Sequence, residues 1–499
     1  MGGGVPIVLT ADRTLMAGYR LLFDGMLAAS QTTTSPIPLL APLLLPRNRG
    51  NAPLGLRRVE AALRQGGFGP RELCVATQKT LARVVGQDTR IIGISAGDPG
   101  GRGMNSSTMS AVAFGIGWPQ SLVGQLADRV AKLKRATGGR LKVVMGGPGS
   151  WQVAQDETLA RRLGVDHVMT GYVEGNVAAV FRDLQAGKAM PRVIQGQWNP
   201  GTVIPEVCGA TTMGAVEISR GCGLGCGFCT IAKTPMVHLP IQTIVRDVRT
   251  NVQAGHHNIA LLSEDIFRYG AQGRQVNPEA LIGLLEQVRA IPGVGLIQVD
   301  HANVFSAAQL TDDQLRRMRQ VLGRDGQRFV WINIGVETPD GDLLQAAGGG
   351  AKMWPCEPGD WGAMCRKQLE RLADVGFLPL TSLLLCADGQ TGAHISKTTQ
   401  WVKAFDERPV TFFPMLVAPI LAHVNDGATP SRQTMRRADW ELLRECYRRN
   451  FKWLPRMYWD NQTAGGEPLA KRLLLQIMGH GQVVMWKSLF RWHQWRASV

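Results

Sequence analysis

Three cysteines, Cys222, Cys226 and Cys229, lie within eight residues of one another and are separated by glycine-containing spacers. Thiolates are the ligands that iron–sulfur clusters and zinc prefer. Three cysteines leave one iron of a four-iron cluster without a protein ligand, and a catalytic metal site needs such an open position. A structural zinc site needs a second ligand pair, whereas the next candidates are histidines without that spacing, namely His238, His256 and His257. The run therefore predicts a [4Fe-4S] cluster, with structural zinc or inert buried cysteines as the alternatives.

Short apolar strands alternate with helical patterns in the first part of the chain, which indicates an α/β fold. Each of these strands is rich in Val or Ile, and most end at Gly or a small residue. They span residues 5–10, 72–76, 90–95, 141–145 and 167–170. We therefore predict a doubly wound, Rossmann-like parallel sheet over residues 1–205, with a linker at 186–210. Its glycine-rich loops should share one sheet edge, where ligands of such folds bind.

The cysteine run follows the first strand of a second α/β segment. Its predicted strands span residues 214–219, 258–262, 296–300, 329–336, 378–386 and 410–414. Helical patterns separate these strands, so residues 206–415 predict a partial (β/α)6 barrel. Residues 416–499 predict a mainly helical, Trp-rich and basic region. The sequence thus indicates three parts, with boundaries near residues 205 and 415.

A Cys-x3-Cys-x2-Cys run after a first barrel strand is typical of the radical S-adenosylmethionine (SAM) superfamily, which this chain resembles over about residues 215–415. The resemblance implies that Phe228 lies by the SAM adenine. It implies that the backbone of Ser263, Glu264 and Asp265 holds the SAM amino group. It also implies that Glu337, in the run Gly335-Val-Glu337, lies near the ribose and methionine moieties. The alternatives are a core phenylalanine, helix-capping carboxylates and a salt-bridged glutamate.

A doubly wound domain before such a barrel resembles the cobalamin-binding subclass of this superfamily. The resemblance implies a cobalamin site at the glycine-rich strand ends, formed by Asn105, Ser106, Gly146, Gly147, Gly149, Tyr172, Glu174 and Gly175. The family's histidine is replaced by glycine at position 149. An Asp-x-His-x-x-Gly motif, which would supply a lower cobalt ligand, does not occur in the sequence. The alternative is a Rossmann-like domain that binds nothing.

The resemblance implies methylation of an unactivated carbon through a 5′-deoxyadenosyl radical, with cobalamin as the methyl carrier. It also implies an electron donor such as flavodoxin or ferredoxin. Cyclisation or rearrangement without methyl transfer is one alternative. An RNA-modifying methylthiotransferase is another, but it needs three more cysteines in the front domain, where only Cys74 occurs. A non-enzymatic metal-binding module would bind zinc rather than iron.

Composition adds a formal net charge of +16, which favours an anionic partner or reflects a GC-rich genome. Nucleic acid is not expected as the substrate. The nine cysteines indicate a reducing compartment. The start of the sequence shows no signal peptide, and the apolar run at 36–46 is too short to span a bilayer, so we expect a cytoplasmic protein. Residues 483–495 predict either a packed helix or a membrane-surface helix, which would suit a lipid or other apolar substrate.

Overall fold

The computed structural model describes residues 3–34, 44–405, 407–417 and 432–496. The chain groups into two compact units. One comprises residues 1–110, 114–216 and 246–256, and the other comprises residues 111–113, 217–245 and 257–499. The predicted boundaries near 205 and 415 stay predictions. Most of the apolar run at 36–46 lies outside the described residues.

The first unit contains a six-stranded parallel sheet in the order β2-β1-β3-β4-β5-β6. The strands are Ile7–Ala11 (β1), Leu73–Val75 (β2), Ile91–Ser95 (β3), Lys142–Gly146 (β4), His167–Thr170 (β5) and Val193–Gln195 (β6). The doubly wound prediction is confirmed, since all five predicted strands are present. Strand β6 lies where a linker was predicted, and that part of the prediction is wrong.

Both faces of this sheet are buried, because alternate side chains of its strands enter two separate apolar cores. Val8, Ile92 and Val143 belong to one core, whereas Ile7 and Ile91 belong to the other. Burial on both faces explains why these strands appear in the sequence as continuous apolar runs. The helices that accompany the sheet are Leu22–Ala29 (α1), Leu54–Gln65 (α2), Leu81–Val84 (α3), Met104–Ala113 (α4), Trp118–Ala136 (α5), Ser150–Gln155 (α6), Glu157–Arg162 (α7) and Val177–Gln185 (α8).

Beyond this sheet, six strand positions follow in chain order, as the sequence predicts. The strands are Ala215–Glu217 (β7), Ser219–Arg220 (β8), Val237–His238 (β9), Ile259–Leu262 (β10), Ile297–Val299 (β11), His301–Asn303 (β12), Val330–Glu337 (β13), Phe377–Leu385 (β14) and Thr411–Leu416 (β15). They form sheets in the orders β11-β10-β7 and β12-β13-β14-β15, with β8 and β9 as a separate ribbon. Only Asp300 separates β11 from β12, so these two segments occupy the third strand position.

Helices alternate with these strands and form the C-terminal region. They are Ile241–Gln253 (α9), Pro278–Arg289 (α10), Val304–Ala308 (α11), Asp312–Leu322 (α12), Gly341–Ala346 (α13), Trp361–Asp374 (α14), Gly392–Lys403 (α15), Arg437–Ala464 (α16) and Leu469–Arg496 (α17). Helix α10 illustrates how the sequence starts a helix, since the Asn277 side chain accepts a hydrogen bond from the Ala280 amide and Pro278 occupies the first turn. Helices α16 and α17 confirm the helical prediction for the C-terminal region. Within the described ranges, no helix is long and apolar enough to cross a membrane.

Candidate functional site

The three cysteines lie on a loop that a two-stranded ribbon closes. Strands β8 and β9 pair antiparallel, with Arg220 opposite Val237. Inside the loop, the Cys222 amide donates to the Thr234 carbonyl at 3.0 Å. Gly221 adopts a φ of +77°, and a Cβ there would lie 2.3 Å from the Pro235 carbonyl oxygen. A side chain at this position would therefore both strain the backbone and separate the two ends of the loop.

An apolar group surrounds the cysteines and fixes their positions. Cys226 is buried, whereas Cys222 and Cys229 are half-buried. All three pack with Leu224, Ala232 and Phe305, and the half-buried ring of Phe228 packs against the same group. Phe228 is thus adjacent to the cysteines, as the sequence predicts, while its contact with an adenine remains a prediction.

Arg268 ties the start of the cysteine loop to the segment after β10. Its guanidinium donates to the Cys222 carbonyl at 2.8 Å and to the Gly273 carbonyl at 3.0 Å. The side chain also lies 5.7 Å from the centroid of the Phe305 ring. Because Arg268 is buried, these hydrogen bonds are shielded from water and hold the loop firmly.

The cysteine environment favours neutral thiols until a cation arrives. Burial raises the pKa of Cys226 to about 11, although the nearby charge of Lys352 acts in the opposite direction. Burial raises the pKa of Cys222 and Cys229 as well. Binding of iron would therefore displace protons from these thiols. In the described part of the chain, no three His, Cys, Asp or Glu side chains converge on one metal ion. The cysteines of a four-iron cluster each ligate a different iron and need not converge in this way.

The segment after β10 combines a buried scaffold with a more open carboxylate. Asp265 is fully buried and accepts hydrogen bonds from the Asn303 side chain at 3.0 Å and from the Ser306 hydroxyl at 2.9 Å. The Ser263 hydroxyl lies 2.5 Å from that of Ser219 and accepts from the Asp265 amide. Side chains 263 and 265 thus shape the turn, and a SAM contact here would come from the backbone. Glu264 is half-buried, and burial raises its pKa.

Glu337 forms a buried ion pair, at 2.6 Å, with Lys352. The Ser382 hydroxyl donates to its second carboxylate oxygen at 3.3 Å. A Cβ at Gly335 would lie 2.5 Å from the Glu337 carboxylate and 2.6 Å from the Lys352 ammonium. The glycine of this Gly-x-Glu run leaves room for the ion pair, which packs directly over it, and a larger residue would displace the two charged ends. Glu337 itself has a φ of +67°, which is strained for this residue type.

The sequence prediction missed Lys352, as well as the pair formed by His301 and Asp300. The imidazole Nδ1 of His301 lies 3.0 Å from the Asp300 carboxylate, which also accepts from the Asn333 side chain at 3.0 Å. Burial lowers the pKa of His301, but Asp300, Glu264 and Glu337 together outweigh burial and raise it to about 9. The imidazole is 50% exposed and therefore accessible to a ligand. A polar pair at the end of an apolar strand is the signal that could have found it.

In the first unit, the predicted cobalamin residues follow the carboxyl ends of neighbouring parallel strands, so the predicted shared edge is confirmed. Gly147 and Gly149 have structural explanations of their own. A Cβ at Gly147 would lie 2.8 Å from the Ala96 carbonyl, and one at Gly149 would lie 2.5 Å from the Gly97 carbonyl. These glycines allow the loops after β3 and β4 to pack closely. Gly146 ends β4, and its carbonyl accepts a hydrogen bond from the Ala96 amide.

The other predicted residues of this edge are partly engaged within the protein. Asn105 donates to the Ala29 carbonyl at 3.2 Å, and Ser106 is buried. The Tyr172 ring lies 5.3 Å from that of Trp198, while the Gly175 amide donates to the Gln197 carbonyl. Glu174, which lies between Tyr172 and Gly175 in the sequence, is half-buried. Their roles toward cobalamin stay predictions.

Asp12, directly after β1, is a further candidate that the sequence prediction missed. Its Oδ1 accepts hydrogen bonds from the Thr14 amide and hydroxyl. Its Oδ2 and the hydroxyl of Tyr19 are both buried and lack a hydrogen-bond partner among the described residues. The position lies between β1 and β3, where the strand order reverses and ligands of such sheets bind. Buried acceptors at a glycine-lined edge fit the amide groups on the rim of a corrin ring.

Comparison with known proteins identifies the fold. No family model matches the chain. The structure is similar to the radical SAM methyltransferase TsrM from Kitasatospora setae, solved with cobalamin and a [4Fe-4S] cluster bound. The TM-score is 0.53 with 14% identity, over 82% of this chain and 75% of that one. It is also similar to the cobalamin-dependent SAM radical enzyme OxsB, with a TM-score of 0.50 and 13% identity over 80% of this chain and 52% of that one. The chain thus shares its fold with these two enzymes.

Sequence similarity to curated proteins is confined to short stretches. The ribosomal protein uS12 methylthiotransferase RimO of Sorangium cellulosum is 29% identical over 153 residues, which is 25% of this chain and 31% of that protein. The protein of the same name from Thermosipho africanus is 36% identical over 88 residues, which is 17% of this chain and 20% of that protein. The matches therefore span less than a third of either relative.

Proposed function

We propose that the chain is a radical SAM enzyme that uses cobalamin to methylate an unactivated carbon. The observation that carries the proposal is the loop of Cys222, Cys226 and Cys229, with its glycine-dependent closure. It occurs in a fold similar to that of TsrM, whose structure contains both a [4Fe-4S] cluster and cobalamin. The three thiols fit a cluster with one open iron, because thiolates are its ordinary ligands and each can serve a different iron.

The residues near the loop offer complementary groups for SAM. Phe228 offers an apolar face for the adenine, while the backbone around Glu264 and the Glu337 carboxylate offer acceptors for cationic or hydroxyl groups. The imidazolium of His301 offers a cation for a carboxylate. When bound, the cluster supplies the electron that cleaves SAM to a 5′-deoxyadenosyl radical, and cobalamin carries the methyl group. The chain's own residues bind and orient these groups and exclude water from the radical.

The ion pair of Lys352 and Glu337 has a specific part in this arrangement. Lys352 is buried, and its charge offsets part of the rise that burial causes in the pKa of Cys226 and of Cys222. It therefore favours their thiolate forms, which bind iron. Glu337 ends strand β13, and its carboxylate lies 2.6 Å from the Lys352 ammonium. The strand therefore fixes the carboxylate, and the carboxylate positions the cation. The cobalamin edge of the first unit would be lined by the predicted loop residues and by Asp12.

Two other reactions use the same machinery. Cyclisation or rearrangement would need SAM cleavage without methyl transfer to the product. Methylthiotransfer is favoured by the short matches to RimO. It would need a second cluster bound by the front domain, however, and residues 1–205 contain only Cys74. Iron analysis distinguishes methylthiotransfer from the reactions that use a single cluster, because one cluster gives about four iron atoms per chain and two clusters give about eight.

The test uses the full chain, purified anaerobically and reconstituted with iron, sulfide and cobalamin. We expect about four iron atoms per chain, one corrinoid by mass spectrometry and 5′-deoxyadenosine formation from SAM with a chemical reductant. Cys226→Ala should abolish SAM cleavage, while Cys208→Ala, an exposed cysteine outside the loop, should retain it. Equal SAM cleavage by both variants would contradict the site. Absence of corrinoid uptake would contradict the methylation proposal but not the cluster.

The substrate and the partners belong to the same proposal. We propose a small-molecule substrate, either a lipid or another apolar compound, and an electron donor such as flavodoxin or ferredoxin. Transfer of an isotope-labelled methyl group from SAM, followed by mass spectrometry of lipid and small-molecule extracts, would identify the acceptor. A labelled nucleic acid instead of a small molecule would contradict this part of the proposal.

A further inference from the structure

The last helix, α17, is apolar on two opposite sides. One side packs against α16, where the Phe490 ring lies 5.0 Å from Tyr447 and the His493 ring stacks on Trp440 at 4.1 Å. The opposite side exposes large apolar side chains that do not contribute to this packing. The most exposed of them are Leu469 at 55%, Leu473 at 49%, Ile477 at 70%, Val484 at 66% and Trp495 at 66%.

These exposed side chains form one stripe. At about 100° per residue, Leu473, Ile477, Val484 and Trp495 fall within an arc of about 40° on the helix surface. The buried Leu475 and His493 lie on the far side of the helix. Isolated apolar residues are normal on protein surfaces, but four largely exposed apolar side chains on one face of a 28-residue helix indicate an interaction surface. We call this stripe, from Leu473 to Trp495, the apolar stripe.

Positive charge accompanies the apolar stripe. Residues 469–496 contain five Lys or Arg residues and neither Asp nor Glu. Arg491 is exposed and, at about 100° per residue, lies within the arc of the stripe. Lys487 is exposed beside one edge of the stripe, with its ammonium 5.9 Å from the centroid of the Phe451 ring of α16. Arg496 is also exposed, about 100° around the helix from the nearest edge of the stripe. The stripe therefore combines apolar side chains with the cations of Arg491 and Lys487, while Lys471 at the start of the helix pairs with Glu467 at 2.9 Å.

We propose that this face of α17 binds the surface of a bilayer that contains anionic lipid. Apolar side chains enter the region between headgroups and acyl chains, while Lys and Arg attract anionic headgroups. Trp495 suits this depth because its ring is apolar and its N–H can bond to water or headgroups. A second copy of the chain fits less well, since a symmetric contact would oppose the cations of one copy with those of the other. The contact would lie on the surface, as no described helix is suited to span the membrane.

The test uses the full-length protein and vesicles. We expect flotation with vesicles of phosphatidylcholine mixed with phosphatidylglycerol, and little flotation with phosphatidylcholine alone. The double variant Ile477→Ser and Val484→Ser should weaken binding at least about tenfold, because both side chains lose their transfer from water. A second double variant, Lys487→Glu and Arg491→Glu, should also weaken binding, and added salt should weaken binding of the parent.

A matched control is Val203→Ser in the first unit, where the side chain is 68% exposed. It should bind vesicles like the parent, and all variants should retain the parent's circular dichroism spectrum and SAM cleavage. Equal binding of all variants to anionic vesicles would overturn the proposal. A concentration-dependent dimer that the α17 variants abolish, without vesicle binding by the parent, would overturn it in favour of a second copy. Neither result bears on the proposed reaction, because SAM cleavage is measured separately.

Discussion

Gly335→Ala is expected to disturb the site through a single methyl group. That Cβ would lie 2.5 Å from the Glu337 carboxylate and 2.6 Å from the Lys352 ammonium, well inside van der Waals contact. Both charged side chains are about 90% buried, with exposures of 10% and 8%, so neither can move freely into water. Overpacking of this kind costs about 1–3 kcal/mol. Complete loss of one partner from a buried pair would cost about 3–5 kcal/mol, which sets the upper limit.

Urea unfolding of the anaerobically reconstituted protein, followed by tryptophan fluorescence, measures this change, and calorimetry measures SAM binding. Gly335→Ala should lower the unfolding midpoint and weaken SAM binding. Gly283→Ala is the matched control, because Gly283 lies within helix α10 and an added Cβ there meets no atom within 4 Å. That substitution should stabilise the protein by up to about 1 kcal/mol. If Gly335→Ala unfolded at the parent's midpoint and bound SAM equally well, the explanation of the Gly-x-Glu run would be wrong.

Three further variants test other contacts. Asp300 raises the folded-state pKa of His301 to about 9, against the opposing effect of burial. The contribution of protonated His301 to the free energy of unfolding is therefore complete below pH 6.5 and is lost as the pH rises through about 9. His301→Asn should flatten this decline in unfolding measurements. Burial raises the pKa of Asp12 to about 6, so the free energy of unfolding should fall as the pH rises from 3.8 through about 6 and this buried carboxyl ionises. Asp12→Asn should remove this pH dependence, and an unchanged pH dependence would contradict the assignment. Arg268→Met removes the donor to the Cys222 carbonyl at a cost of about 1.5–3 kcal/mol, and should accelerate iron loss to a chelator; a parent-like rate would show that the contact does not hold the loop.

The sequence predicted the front sheet well because its strands are buried on both faces. Ile7–Ala11 and Ile91–Ser95 are buried at every position, so Val, Ile, Leu and small residues fill them almost throughout. Strand β6 escaped prediction because it has three residues and only Ile194 is buried. Short edge strands depend on pairing with a neighbour, which residue pattern alone does not reveal.

The candidate site shows the same division between local and distant information. The cysteine loop could be predicted because its ligands and glycines lie within a single run. Lys352 could not, because only the fold brings it to Glu337, fifteen residues earlier in the chain. The hydrogen bonding of Asp300 and His301 depends on the pairing of β12 with β13, which places His301 opposite Asn333. Glycines 147 and 149 were predicted for a ligand, whereas close packing between two loops already accounts for them.

Electron paramagnetic resonance of the reduced, reconstituted protein tests directly whether the three cysteines hold a cluster that binds SAM. If Cys222, Cys226 and Cys229 hold a [4Fe-4S] cluster with one open iron, SAM should bind that iron and alter the spectrum of the reduced cluster. We expect a cluster signal without SAM, a changed signal with SAM, and neither signal in Cys226→Ala. A zinc-containing protein without a cluster signal, or a cluster whose spectrum SAM leaves unchanged, would contradict it.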